Sequence, residues 1–185
     1  MKVTVGVSNR HVHLTRKTYE YLFSKSELEK RNDLNQIGEF ASTETVDLIY
    51  RGKMLEHVRI VGPFRSHNQI ELLGSDGEYL NIQLPTRRSD KLEDTPCIII
   101  SANGKTVTTD GVIRAERHVH VPLSRSSELG LHERDEVEIT YPGGTFKANV
   151  KVSENGYFEL HIDKDEAAEF DLHTNDEVEL KLCGK

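Results

Sequence analysis

Apolar and polar residues alternate in short runs along most of the chain, the period of two expected of strands with one buried face. Lys2–Ser8 alternates and is rich in β-branched residues, which favour the pleated backbone. Thr43–Arg51, Leu55–Val61, Asn68–Leu73 and Glu78–Leu84 read as consecutive strands, with Gly52-Lys53 and Gly74-Ser75-Asp76-Gly77 as hairpin turns. Cys97–Ser101 and Lys105–Thr109 flank an Asn103-Gly104 turn, and Asp110-Gly111 leads into a strand carrying His118 and His120. Glu136–Tyr141 and Thr145–Val152 are joined by Pro142-Gly143-Gly144, Asn155-Gly156 turns into Tyr157–Ile162, and Glu177–Leu182 is the last strand. Helical periodicity is confined to short pieces. Thr15 caps one through about Phe23, Ser124 caps a turn ending at Gly130, and Asp165–Phe170 forms another. Residues 24–41 and the stretch from Pro85 to Pro96 show no period and read as irregular.

One segment pattern occurs twice. Leu131-His-Glu-Arg-Asp-Glu-Val-Glu-Ile139 is echoed by Leu172-His-Thr-Asn-Asp-Glu-Val-Glu-Leu180, each after a short helix. Such echoes fit the internal pseudo-symmetry of small barrels, and the histidines within them are read as fold, not chemistry. Many short strands with turn signals between them favour barrels over an open parallel sheet. The expected fold is therefore mostly β: two small β-barrel domains with short capping helices. The boundary falls near residues 110–116, giving domains 1–113 and 114–185, with the first strand able to pair with the second barrel.

Composition narrows the partners. The chain of 185 residues has 24 basic and 31 acidic side chains and a net charge of −7, which disfavours nucleic acid as main partner. A local basic pocket for a phosphorylated small molecule remains compatible with that charge. No apolar run approaches the ~18 residues of a membrane span. Met1 stands directly before a strand-like run, so a signal peptide is not expected. Cys97 and Cys183 are far apart and outside Cys-x-x-Cys spacing, as in reduced thiols of a cytoplasmic protein.

The chemistry concentrates in Arg10-His11-Val12-His13, which returns as Arg117-His118-Val119-His120. In a strand, His-x-His sets both imidazoles on one face, ~7 Å apart along the backbone. Nine histidines in 185 residues would give only about 0.4 such pairs by chance. Two pairs in one frame point to metal binding, and imidazole suits zinc, copper, iron and nickel. Each pair needs a third ligand, which raises the interest of His161 on a strand and of Glu71. Arg65 follows the Gly62-Pro63 turn, and its fork suits a phosphate dianion.

Four blocks together carry a resemblance: Val5 to Leu14, Val61-Gly-Pro-Phe-Arg65 with Gln69-Ile-Glu71, Gly111 to His120, and Leu160-His-Ile-Asp-Lys-Asp-Glu-Ala167. In that order they resemble the PduL-type phosphate propanoyltransferases, the phosphotransacylases of bacterial microcompartments and their free relatives. The resemblance implies two β-barrels, a homodimer and a two-zinc site. It implies reversible transfer of an acetyl or propanoyl group between coenzyme A and inorganic phosphate. His11, His13 and Glu71 would hold one zinc, and His118, His120 and His161 the other. Arg65 would be the catalytic, phosphate-binding residue, and Val7, Ser8, Asn9 and Arg59 fall at coenzyme A contacts. Relatives housed in microcompartments carry an amphipathic N-terminal extension, and with Met1 ten residues before His11 this chain is expected to be free in the cytoplasm.

Asn32, Asn68 and Ala168 depart from the family pattern, where lysine, threonine and asparagine are expected, and His67 is an additional histidine. Two rival readings differ in chemistry. A cupin-like metal enzyme would need a glutamate soon after His-x-His, whereas Arg16, Lys17 and Thr18 follow His13. A barrel using zinc only for stability would show closed four-ligand coordination, against three protein ligands per set here.

Overall fold

The computed structural model of the chain describes residues 1–154 and 156–183. Asn155, half of the turn expected at Asn155-Gly156, lies outside the described residues. In chain order the elements begin with β1 (Lys2–Ser8), β2 (His11–His13), α1 (Arg16–Phe23), β3 (Lys30–Asp33), β4 (Phe40–Tyr50), β5 (Lys53–Gly62), β6 (Gln69–Glu71) and α2 (Gly74–Leu80). Next come β7 (Thr86–Arg87), β8 (Ile98–Ala102), β9 (Lys105–Thr109), β10 (Val112–Ala115), β11 (His118–Pro122) and α3 (Leu123–Leu129). The last are β12 (Glu136–Tyr141), β13 (Gly144–Ser153), β14 (Glu159–Asp163), α4 (Lys164–Phe170) and β15 (Glu177–Leu182). Two compact units result, Met1–Asn9 with Glu116–Lys185, and Arg10–Ala115. Compared with a linear division at residue 113, the first nine residues group with the C-terminal strands. Among the described residues, no helix is long and apolar enough to cross a membrane.

The first unit is a closed six-stranded barrel in the order β1-β14-β11-β13-β12-β15. Its interior is filled by alternate residues, among them Val3, Val5, Val119, Val121, Leu160 and Ile162, all buried. Each such side chain contributes about 1.5–3 kcal/mol by leaving water. Alternation turns the intervening residues outward, so Gly6, His118, His120, Glu159 and His161 share the outer face of three neighbouring strands. The sequence echo is a structural repeat. His132 N–H donates to Asp135 Oδ2 at 2.8 Å and His173 N–H to Asp176 Oδ2 at 2.7 Å. Arg134 and Asn175 both take the left-handed conformation, and the two turns dock on Val150 and Val5 through backbone pairs at 2.8–3.0 Å. α4 opens on a reciprocal cap, with Glu166 N–H donating to Asp163 Oδ1 at 2.8 Å and Asp163 N–H to Glu166 Oε2 at 3.1 Å.

The second unit is a nine-stranded half-barrel, β7-β10-β6-β2-β5-β4-β8-β9, with β3 added on β4. Val12, Ile60, Ile70, Leu48, Ile100 and Val112 form its core with Tyr19 and Leu22 of α1. α1 is capped as expected, the Thr15 hydroxyl accepting from Thr18 N–H at 3.1 Å. Several expectations are corrected here. Gly74 to Gly77 is not a hairpin turn and Glu78–Leu84 is not a strand, because α2 occupies Gly74–Leu80. The buried Asp76 carboxylate accepts from Leu73 N–H at 3.0 Å and is gripped by Arg10 at 2.6 and 2.8 Å, which fixes the first turn of a helix. Residues 24–41 are less irregular than their pattern suggests, since Lys30–Asp33 pairs with β4. The Pro85–Pro96 loop likewise contains the two-residue strand β7. In the other unit α3 begins at Leu123 on Pro122, not on Ser124.

Candidate metal-binding site

Among the described residues, two groups of side chains offer ligand atoms within 4.8 Å of one another: His118, His120 and His161 in the barrel, and His11, His13 and Glu71 in the half-barrel. In the barrel, His118 and His161 face each other across the β11–β14 pair, and His120 stands opposite Glu159. His118 Nδ1 lies 2.7 Å from the Glu116 carbonyl oxygen. A carbonyl only accepts, so Nδ1 carries the hydrogen and Nε2 keeps its lone pair. His120 Nε2 lies 3.0 Å from that atom and 3.4 Å from His161 Nδ1. Adjacent ligands on a tetrahedral zinc with bonds of ~2.1 Å stand ~3.4 Å apart, so these nitrogens fit one ion. His120 is 2% exposed, and its Nδ1 is buried without a hydrogen-bond partner. Burial first, then the charges of His118, His161 and Lys151, push its pKa down to about 2. The ring therefore stays neutral near pH 7, the form that ligates.

The surroundings of this group are built to hold it. Tyr157 stacks on the His120 ring at 4.8 Å and 21°. Glu159 is buried, and its carboxylate occupies the space where a Cβ on Gly6 would be. That explains a glycine inside a strand, where it otherwise weakens pairing. Tyr157 and Glu159 escaped the sequence reading, although both stand at alternate positions with His161; β14 itself begins only at Glu159.

In the half-barrel, β2 pairs with β6 so that His11 faces Glu71 and His13 faces Gln69. Four side chains of one sheet face thus converge. His13 is 1% exposed, and its Nδ1 donates to the Val61 carbonyl at 3.0 Å, so Nε2 again keeps the lone pair. His11 Nε2 lies 3.5 Å from Glu71 Oε2. Two imidazoles and a carboxylate form a donor set suited to a borderline cation such as zinc.

Arg65 belongs to the same face. Its Nη1 donates to Gln69 Oε1 at 2.6 Å and its Nη2 to Glu39 Oε1 at 2.8 Å, while Gln69 Nε2 donates to Glu71 Oε1 at 2.6 Å. The Glu39 carboxylate thus sits on the arginine fork as a phosphate oxygen would. Glu39 was not foreseen; it lies in the stretch without period, and no spacing marks it. Arg59 stands opposite His11 across β2 and β5, and its Nη1 donates to the carbonyls of Ser42 and Thr43 at 2.9 Å each. Val7 and Ser8 end β1, opposite Ile162 and Asp163, and Asn9 follows; Ser8 Oγ donates to the Ile162 carbonyl at 3.4 Å. Asn68, a departure noted above, accepts from Thr15 N–H at 2.9 Å and donates to Thr18 at 3.0 Å, so it ties the start of α1 to β6. His57, His132 and His173 lie in neither group.

The chain is also similar to known proteins. The model of the phosphate propanoyltransferase family matches residues 4–173. The phosphate propanoyltransferase of Rhodopseudomonas palustris (strain BisB18) is 39% identical over 190 residues, covering 100% of this chain and 83% of that protein. That of Thermotoga maritima is 37% identical over 88% of this chain and 81% of its own. The Limosilactobacillus reuteri enzyme of the same name is 36% identical over 88% and 79%.

Proposed function

Because the chain belongs to the phosphate propanoyltransferase family, we propose that it is a zinc-dependent phosphate acyltransferase that moves an acetyl or propanoyl group reversibly between coenzyme A and inorganic phosphate. Membership supports the acyl transfer itself. The observation that supports the metal is the pair of three-ligand groups in which a carbonyl engages Nδ1 of His13 and of His118, so that the lone pair stays on Nε2, the nitrogen that would ligate. The reading assigns one zinc to each group, two per protomer, and the resemblance further supports a homodimer.

The roles follow from the donors present. Bound zinc supplies Lewis acidity toward a thioester carbonyl and affinity for a thiolate leaving group. Arg65 offers a planar fork that takes two phosphate oxygens at once, releasing Glu39 as the anion arrives. One phosphate oxygen attacks the acyl carbon, the C–S bond breaks, and the electron pair leaves with sulfur as coenzyme A thiolate. A phosphate dianion brings its own lone pair, so no general base is required. Neither cysteine falls in the two groups, in keeping with direct attack and no acyl-enzyme. Val7, Ser8, Asn9 and Arg59 are assigned to coenzyme A, with Arg59 presenting a cation to an anionic ligand.

Incubating the metal-analysed protein with acetyl- or propanoyl-CoA and phosphate, and following free thiol and acyl phosphate together, tests the reading. Stoichiometric appearance of both, lost on zinc removal and restored by zinc, is expected. Thiol release without acyl phosphate would make the protein a hydrolase, and full turnover after metal stripping would remove zinc from the mechanism.

A further inference from the structure

One buried side chain joins the arginine to the metal carboxylate. Gln69 is 1% exposed, accepts from Arg65 Nη1 at 2.6 Å and donates to Glu71 Oε1 at 2.6 Å. Its orientation is dictated by its neighbours. A guanidinium only donates and a carboxylate only accepts, so the reversed amide would set N–H against N–H and oxygen against oxygen. The position therefore demands an acceptor on one side and a donor on the other at the same reach. Ionised glutamate lacks the donor, leucine and methionine lack effective versions of both, and lysine lacks the acceptor. The outer ends of this file are also occupied: Arg65 Nη2 by Glu39 at 2.8 Å, and Glu71 Oε2 by His11 Nε2 at 3.5 Å.

We propose that Gln69 is a positioning residue that ties the anion-binding arginine to the metal-binding carboxylate, aiming the Arg65 fork and fixing the Glu71 rotamer through one amide. It acts through Arg65 and Glu71 and not on the reacting atoms. Its removal nevertheless loosens both halves at once. The inference rests on the reading of Arg65 as phosphate ligand and of His11, His13 and Glu71 as a metal set.

Two variants separate the arms. Gln69→Leu keeps the burial and removes both hydrogen bonds. Of the two zinc sites, resolved by competition with a chromophoric chelator in the absence of substrates, one should weaken by about tenfold or more and the other stay unchanged. The phosphate KM should rise roughly fivefold or more while the acyl-CoA KM stays within about twofold. Gln69→Glu keeps an oxygen toward Arg65 but loses the donor toward Glu71. Its phosphate KM should fall clearly below that of Gln69→Leu, short of the wild-type value because the added carboxylate opposes the anion, while its zinc affinity stays low. A general loosening of the half-barrel would not produce that split. Wild-type zinc affinity and phosphate KM in both variants overturn the proposal, as does a Gln69→Glu protein that follows Gln69→Leu in both readouts. If Gln69→Leu fails to fold, the divergence of the two readouts in Gln69→Glu decides alone. A wild-type protein that binds no zinc or makes no acyl phosphate overturns the functional reading itself. A loaded, active wild type with unaffected variants overturns this inference only.

Discussion

Acidifying the metal-free protein isolates the contribution of His120. The ring is 2% exposed, and its pKa is pushed down to about 2, chiefly by burial and then by His118, His161 and Lys151. In the unfolded chain the same ring titrates near ~6.5. The folded value is the lower one, so on acidification the unfolded state takes up this proton first. The stability tied to neutral His120 is therefore fully present above about pH 6.5 and is lost progressively as pH falls from there toward about 2. At pH 5, some 1.5 units below the unfolded pKa, the loss is about 2 kcal/mol relative to pH 8. With urea slopes of about 1–3 kcal/mol per molar, the unfolding midpoint should drop by roughly 1 M. Urea titrations of chelator-treated protein at pH 8 and pH 5, followed by far-ultraviolet circular dichroism, measure it. His120→Gln keeps a neutral polar side chain and removes the titrating group, so its midpoint should fall by clearly less. An equal acid response in the variant and the wild type would refute the assignment to His120.

Other perturbations probe separate links. Arg65→Lys keeps the charge but not the fork, so the phosphate KM should rise or turnover fall by about tenfold or more, about 1.4 kcal/mol; an unchanged phosphate dependence would remove Arg65 from the phosphate site. His13→Ala and His120→Ala should each lose activity with about one of two zinc ions by elemental analysis. His57 is the matched control: its φ is 55° and its N–H donates to Asp47 Oδ1 at 2.9 Å in a bulge of β4 and β5. His57→Gly should keep both zinc ions and gain up to about 1 kcal/mol, because glycine relieves the left-handed strain. Gly6→Ala should cost about 1–3 kcal/mol, read as a lower melting temperature, because its Cβ meets the Glu159 carboxylate.

The strands were legible wherever alternation was long enough to declare a buried face. Lys105–Thr109, Glu136–Tyr141 and Glu177–Leu182 match their expected bounds, and β1 and β13 differ by a residue at most at each end. What failed was local chemistry decided at a distance. Gly74-Ser-Asp-Gly77 has the composition of a turn, whereas in the fold Asp76 caps Leu73 N–H and its buried carboxylate is paired with Arg10, far away in sequence. β3 carries no apolar alternation because all four of its residues are exposed, so its pairing with β4 leaves no hydrophobic trace. The start of α4, by contrast, was written in the chain as Asp163 and Glu166 three residues apart, although the helix was expected from Asp165.

The candidate site shows the same division between pattern and distance. His-x-His declares its own geometry, because alternation alone sets both rings on one face. The second layer does not. Glu39 reaches Arg65 from a segment without period, and its meaning emerges only from the charges assembled there. The side chains Arg65, Glu39 and Glu71 sum to one negative charge, which repels a phosphate dianion. A divalent cation held at Glu71 would turn that sum to one positive charge, and departure of Glu39 from the fork would raise it to two, equal and opposite to the dianion. On the proposed reading, Glu39 would keep the Arg65 fork ordered and charge-paired until an anion with better geometry replaced it, and Glu71 would make that replacement depend on the metal. An arginine standing alone would bind any anion; an arginine held between two carboxylates favours the one that arrives when a cation has already changed the balance.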